Sequence, residues 1–164
     1  MELYLMQHGE AFPESTDPKR HLTPQGERQV QASARALQKL GVQFDRIVAS
    51  TKMRSKQTAR IVAKVLGYPQ EKILETESMD PMATGAEMLG YLKELGKDGR
   101  ILLVSHLPSL GKLSSELLSW SAPVSIHFEM GGVCRIDPDP NLSGPGELRW
   151  HLTPEQLTLI AGLS

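Results

Sequence analysis

The stretch Glu2-Leu3-Tyr4-Leu5-Met6-Gln7-His8-Gly9-Glu10 decides the fold. Leu3 to Met6 is a short continuous apolar run that ends in polar residues and a glycine, the pattern of a strand buried on both faces. Two later runs repeat it. Ile47 to Ala49 leads into Ser50-Thr51-Lys52-Met53-Arg54, and Ile101 to Val104 leads into Ser105-His106-Leu107-Pro108-Ser109. Helical patterns lie between them: Val30, Ala34 and Leu37 after Thr23-Pro24; Ile61, Val62, Val65 and Leu66 before Gly67; Met88, Leu89, Leu92 and Leu95 before Gly96. Thr23 reads as an N-cap with Pro24 as the first helical residue, and Gly67 and Gly96 read as C-terminal stops. Leu110, Leu113, Leu117 and Leu118 mark a fourth helix, and Lys72 to Glu75 a weak additional strand.

Strands separated by helices of this length require right-handed crossovers. The expected fold is therefore α/β, a doubly wound and mostly parallel sheet with helices on both faces. Past Trp120 the pattern shortens. Ile126 to Glu129, Val133 to Asp137 and Leu148 to Leu152 read as strands joined by Gly131-Gly132 and Pro-Asp-Pro-Asn turns, predicting a short antiparallel edge near the C-terminus and a closing helix from Pro154. Asp137 to Gly146, rich in Pro, Gly, Asp and Ser, reads as a solvated loop. With 164 residues, 40% of them apolar, one domain spanning 1–164 is expected.

Lys and Arg total 18 against 19 Asp and Glu, a net charge of -1, which leaves no global field to draw in nucleic acid or an anionic membrane. Any anion must be caught locally. The single Cys134 excludes an intramolecular disulfide and reads as a packed hydrophobe in a reducing, cytoplasmic setting. Nor is there a basic region before the first apolar run, or a run approaching the ~20 residues of a membrane span.

Ligands in open α/β sheets bind beyond the carboxyl ends of the strands. Applied here, that rule brings His8, His106 and Arg54 to one rim of the sheet. The trio suits an oxyanion, phosphate first, because Arg offers a planar fork of donors and imidazole offers charge-assisted hydrogen bonds. A neutral His8 could also attack phosphorus, and Gly9 behind it could turn a carbonyl toward the ring. His21 is expected to face solvent, and His127 and His151 to be structural; the Met residues read as core fillers.

Four stretches, Leu3-Tyr4-Leu5-Met6-Gln7-His8-Gly9-Glu10-Ala11, Arg20-His21-Leu22-Thr23-Pro24-Gln25-Gly26, Ser50-Thr51-Lys52-Met53-Arg54-Ser55-Lys56-Gln57-Thr58-Ala59 and Val104-Ser105-His106-Leu107-Pro108, together resemble the histidine phosphatase superfamily. Within it they are most similar to the small SixA-type phosphohistidine phosphatases. The resemblance implies a phosphoglycerate mutase-like fold and a metal-independent hydrolase without a cofactor. It matches His8 to the transiently phosphorylated histidine, Arg54 to a phosphate-binding arginine and His106 to the histidine facing phosphate from the other side. Arg20 falls where small members carry a basic residue just before Leu-Thr, a position from which it would either reach the substrate or face solvent and shield the loop. The family's Arg-His-Gly is here Gln7-His8-Gly9, which keeps a donor but loses the charge and the fork.

Members acting on alcohols carry a carboxylic acid after the third strand, where this chain offers Glu77 and Asp80. An imidazole leaving group has less need of one. The segments Gly9 to Thr23 and Leu74 to Ala86 are too short for a helical lid, which points to a phosphoprotein bearing phosphohistidine as the partner, with a small phosphorylated substrate as the alternative. Gln7 also raises the reading of a phosphoprotein-binding module without turnover. A metal hydrolase built on His8, His106 and Glu10 lacks zinc-ligand spacing.

Overall fold

A computed structural model describes residues 1–162. Among them, strands β1 (Glu2–Gln7), β2 (Arg46–Ala49), β3 (Leu74–Glu75), β4 (Arg100–Ser105), β5 (Val133–Asp137) and β6 (Glu147–Leu152) form one sheet in the order β3-β2-β4-β1-β5-β6. β1 pairs in parallel with β4, which pairs in parallel with β2, and β2 does so with β3. β5 runs antiparallel to both β1 and β6, so it alone is reversed. The helices are α1 (Pro24–Lys39), α2 (Met53–Leu66), α3 (Gly85–Leu95), α4 (Ser109–Leu118) and α5 (Pro154–Ala161).

Alternation along the buried strands sorts the core into two halves. Tyr4, Met6, Ile47, Ala49, Leu102 and Val104 face α1, α2 and α5. Leu3, Leu5, Val48, Ile101, Leu103 and Cys134 face α3 and α4. The chain therefore leaves β1 toward one face and β4 toward the other, although the two strands are neighbours with Gln7 opposite Ser105. Such a divergence opens a crevice at the carboxyl ends, and it places His8 next to His106.

Local chemistry explains the helix ends. The Thr23 side chain accepts from the Gly26 N–H ahead of Pro24, and Gly67 closes α2 at φ 71°. Two strand expectations are corrected. Only Leu74–Glu75 of the weak third strand is extended in the sheet, because Gln70–Lys72 turns as a single 3₁₀ turn. Ile126 to Glu129 forms no strand: both edges of β1 and of β5 are already paired, so this segment docks through side chains, with Phe128 buried against the α3–α4 face. Cys134 is buried in β5, and burial pushes its thiol up to about 12. No described helix is long and apolar enough to cross a membrane.

Candidate active site

His8 leaves the end of β1 almost wholly buried. Its Nδ1 lies 2.6 Å from the Gly9 carbonyl oxygen, which can only accept, so Nδ1 carries the proton and Nε2 the lone pair. The Arg54 Nε–H donates to that Nε2 over 3.2 Å, which agrees with the same tautomer. The glycine is required by packing. A Cβ at Gly9 would stand 2.6 Å from Val30 Cγ2 and 2.9 Å from the Gly26 carbonyl oxygen. The Gly9 N–H is held by Thr58 Oγ1 at 3.1 Å, and Thr58 in turn donates to the Arg54 carbonyl at 2.8 Å. One buried hydroxyl thus ties the β1 loop to the first turn of α2.

His106 follows β4, with its ring centroid 4.9 Å from that of His8. Its Nε2 is 2.6 Å from Ser50 Oγ, while its Nδ1 is buried with no protein partner. Buried serines fix this corner. Ser55 Oγ donates to the Val104 carbonyl and accepts from the Ser50 N–H, and Ser109 Oγ donates to the His106 carbonyl. Gln7 is half-buried, and its Oε1 is likewise buried without a partner. Two unsatisfied polar atoms on adjacent strand ends are costly in an apolar core and mark the place where a polar ligand would complete the bonding.

Burial, reinforced by the positive charges of Arg54 and Arg20, outweighs the Gly9 hydrogen bond and pushes the His8 imidazole down to about 4 from its ordinary 6.5. Burial first, then the charges of His8 and Arg54, push His106 down to about 2. Both rings are neutral at physiological pH. An unfolded chain takes up protons at its histidines below about pH 6.5, whereas the folded chain does not until pH 4 or lower, so the unfolded state binds more protons across that window. Folding stability is therefore expected to fall as pH drops from 6.5 toward 4. Urea unfolding at stepped pH values checks this, and His8→Asn should flatten the dependence.

Arg20 sits in the left-handed region at φ 52°, with its N–H on the Asp17 carbonyl and its Nε–H on the Phe12 carbonyl at 3.1 Å. Its charge is felt at His8, Arg54 and His106, and it shares a pocket with Arg54. The two acid candidates diverge. Glu77 is exposed on a single 3₁₀ turn, whereas Asp80 accepts from the Thr51 N–H and Oγ1–H at 2.9 Å each and pairs with Lys52 Nζ at 3.4 Å. Lys56 is engaged with Glu75 at 2.9 Å. His21 bonds Asp17, His127 is exposed beside Glu129, and His151 packs edge-on against Phe128. Nothing in the sequence singles out the bracing roles of Ser50, Ser55 and Thr58, because a small hydroxyl that braces a site looks like any other.

The histidine phosphatase superfamily (branch 1) model matches residues 3–86. Phosphohistidine phosphatase SixA of Escherichia coli is 28% identical over 166 residues, covering 99% of this chain and 100% of that protein. The SixA homolog of Haemophilus influenzae is 31% identical over 136 residues, covering 77% of this chain and 83% of its own. The structure of protein histidine phosphatase SixA complexed with tungstate superposes with a TM-score of 0.85 at 27% identity, covering 96% of this chain and 99% of the other. The matched region carries the His8-Gly9 strand end and the α2 arginine, and the shared fold extends to the His106 strand beyond it: this SixA-like chain belongs to the histidine phosphatase superfamily, and it is a phosphatase of that superfamily.

Proposed function

We propose that the chain, as a single domain, hydrolyses protein phosphohistidine by way of a phosphorylated His8. The observation that carries this reading is the His8 ring itself, buried, neutral and locked by the Gly9 carbonyl so that Nε2 presents its lone pair beside Arg54. In the first step Nε2 bonds to phosphorus while the phosphorus–nitrogen bond of the substrate breaks, and the departing imidazole keeps the electron pair and takes up a proton. In the second, water bonds to phosphorus, the His8–phosphorus bond breaks, and inorganic phosphate leaves with His8 restored. Arg54 and Arg20 supply charge to the phosphoryl oxygens, His106 contacts them from the opposite side, and the Gln7 amide contributes a neutral donor.

The carboxylates support phosphohistidine over an ester. An alkoxide leaving group demands a positioned acid, yet Glu77 is exposed and Asp80 is occupied by Thr51 and Lys52. Imidazole, with an ordinary pKa near ~6.5, leaves without one. Neither the 9–23 segment nor the 76–84 segment contains more than a single 3₁₀ turn, so the rim is open enough to meet a folded protein. Gln7 favours a second reading, phosphoprotein binding without turnover. The test compares a phosphohistidine protein with a panel of phosphomonoesters: kcat/KM should be at least about tenfold higher for the former. Equal or greater activity on the esters would reject the substrate, and no turnover on either would leave the binding reading.

A further inference from the structure

Beside His8 and His106 lies an open pocket in which Lys19 and Arg20 from the loop after β1 face Lys52 and Arg54 from the start of α2, with Glu14 and Thr51 on its wall. Four cations around one pocket stand out in a chain whose net charge is -1. Among the described residues Lys19, Arg20 and Arg54 form no ion pair, and Lys52, whose side chain is half-exposed, reaches the Asp80 carboxylate at 3.4 Å.

The cations are held there by design of the loop. The Asp17 carboxylate accepts from the Lys19 N–H at 3.1 Å, from the His21 N–H at 2.8 Å and from His21 Nδ1 at 2.7 Å. That one acid braces the turn, and this arrangement leaves the Lys19 and Arg20 charges unneutralised. Opposite them, α2 begins at Lys52 with no side-chain cap, so the positive end of the helix faces the same pocket. Arg54 and Arg20 lie toward His8. Lys19 and Lys52 are exposed farther out; the charge of Lys52 is felt at His106 but neither lysine is felt at His8.

Resting on the phosphohistidine reading above, we propose that this pocket binds a second anionic group of the substrate, a carboxylate side chain flanking the phosphohistidine on the surface of a protein. Flexible lysine ammonium groups at an open rim suit a surface carboxylate, since they hold it as point charges without demanding one geometry. Charges so placed act chiefly on encounter and on KM, and their effect weakens with salt.

Two phosphohistidine peptides of equal length, one flanked by Asp and Glu and one by Asn and Gln, provide the test on the full chain. The acidic peptide should show a KM about tenfold lower at low salt, with kcat alike for the two. Lys19→Glu should raise the KM of the acidic peptide about tenfold and leave the neutral peptide within twofold; Lys52→Gln should act in the same direction. Equal KM values in the unsubstituted chain, or a preference that survives Lys19→Glu, would overturn the proposal. So would a small bisphosphate that binds more tightly than either peptide. Binding of both peptides to the His8→Ala chain by calorimetry separates the two claims. No turnover with either peptide counts against the function, whereas equal affinities in this binding assay count against the pocket.

Discussion

His8→Ala is expected to abolish phosphoenzyme formation and to lower turnover by about 10⁴–10⁶, the range seen when a covalent nucleophile is deleted. The size follows from how completely the site is organised around one nitrogen. The Gly9 carbonyl fixes the proton on Nδ1, burial keeps the ring neutral, and Arg54 addresses Nε2. His106 is held differently, with its Nε2 2.6 Å from Ser50 Oγ and its Nδ1 buried without a protein partner. The measurement is incubation with a phosphodonor, then intact-mass analysis before and after acid treatment. An acid-labile adduct should form on the unsubstituted chain and be missing from His8→Ala. An adduct that persists in the variant would place the phosphoryl group elsewhere. Circular dichroism guards the comparison, because the substitution leaves Gly9 and Arg54 without their ring partner.

Gln7→Arg is expected to raise kcat, by up to about 10²–10³, the usual value of one transition-state oxyanion donor. Gln7 ends β1 opposite Ser105, one residue before His8, with its Oε1 buried and unpartnered. Arginine there would remove an unsatisfied acceptor and add a planar, charged fork where negative charge develops. It would also hold His8 neutral, since Arg54 and Arg20 already lower its pKa in the same sense. If kcat is unchanged or lower in folded protein, Arg20 has taken over the role, and Gln7→Arg combined with Arg20→Gln then restores what Arg20→Gln alone loses. A rise in both backgrounds would show the two positions acting independently.

The parts of the site legible in the sequence are those governed by the strand ends. His8, Arg54 and His106 each follow a buried apolar run by a few residues, so the parallel arrangement of those runs was enough to bring them together. The Gly9 carbonyl was legible from the glycine itself, which lets the backbone turn a carbonyl toward the ring. The acid candidates were less legible. Glu77 and Asp80 are three residues apart, yet one faces solvent and the other is bound by Thr51 and Lys52, a difference set by a single 3₁₀ turn.

By itself the sequence determined the layered α/β order, since local periodicity, caps and glycine stops need only neighbours along the chain. It also determined the identity of the groups at the rim, including the neutral Gln7. Only the tertiary structure decided that Ile126 to Glu129 is not a strand, because that depends on whether β1 and β5 have an edge to spare. It also decided the His8 tautomer, the bracing by Ser50, Ser55 and Thr58, and the gathering of Lys19, Arg20, Lys52 and Arg54 around one pocket. Those features rest on distances between residues remote in sequence, and on burial that only the packed fold creates.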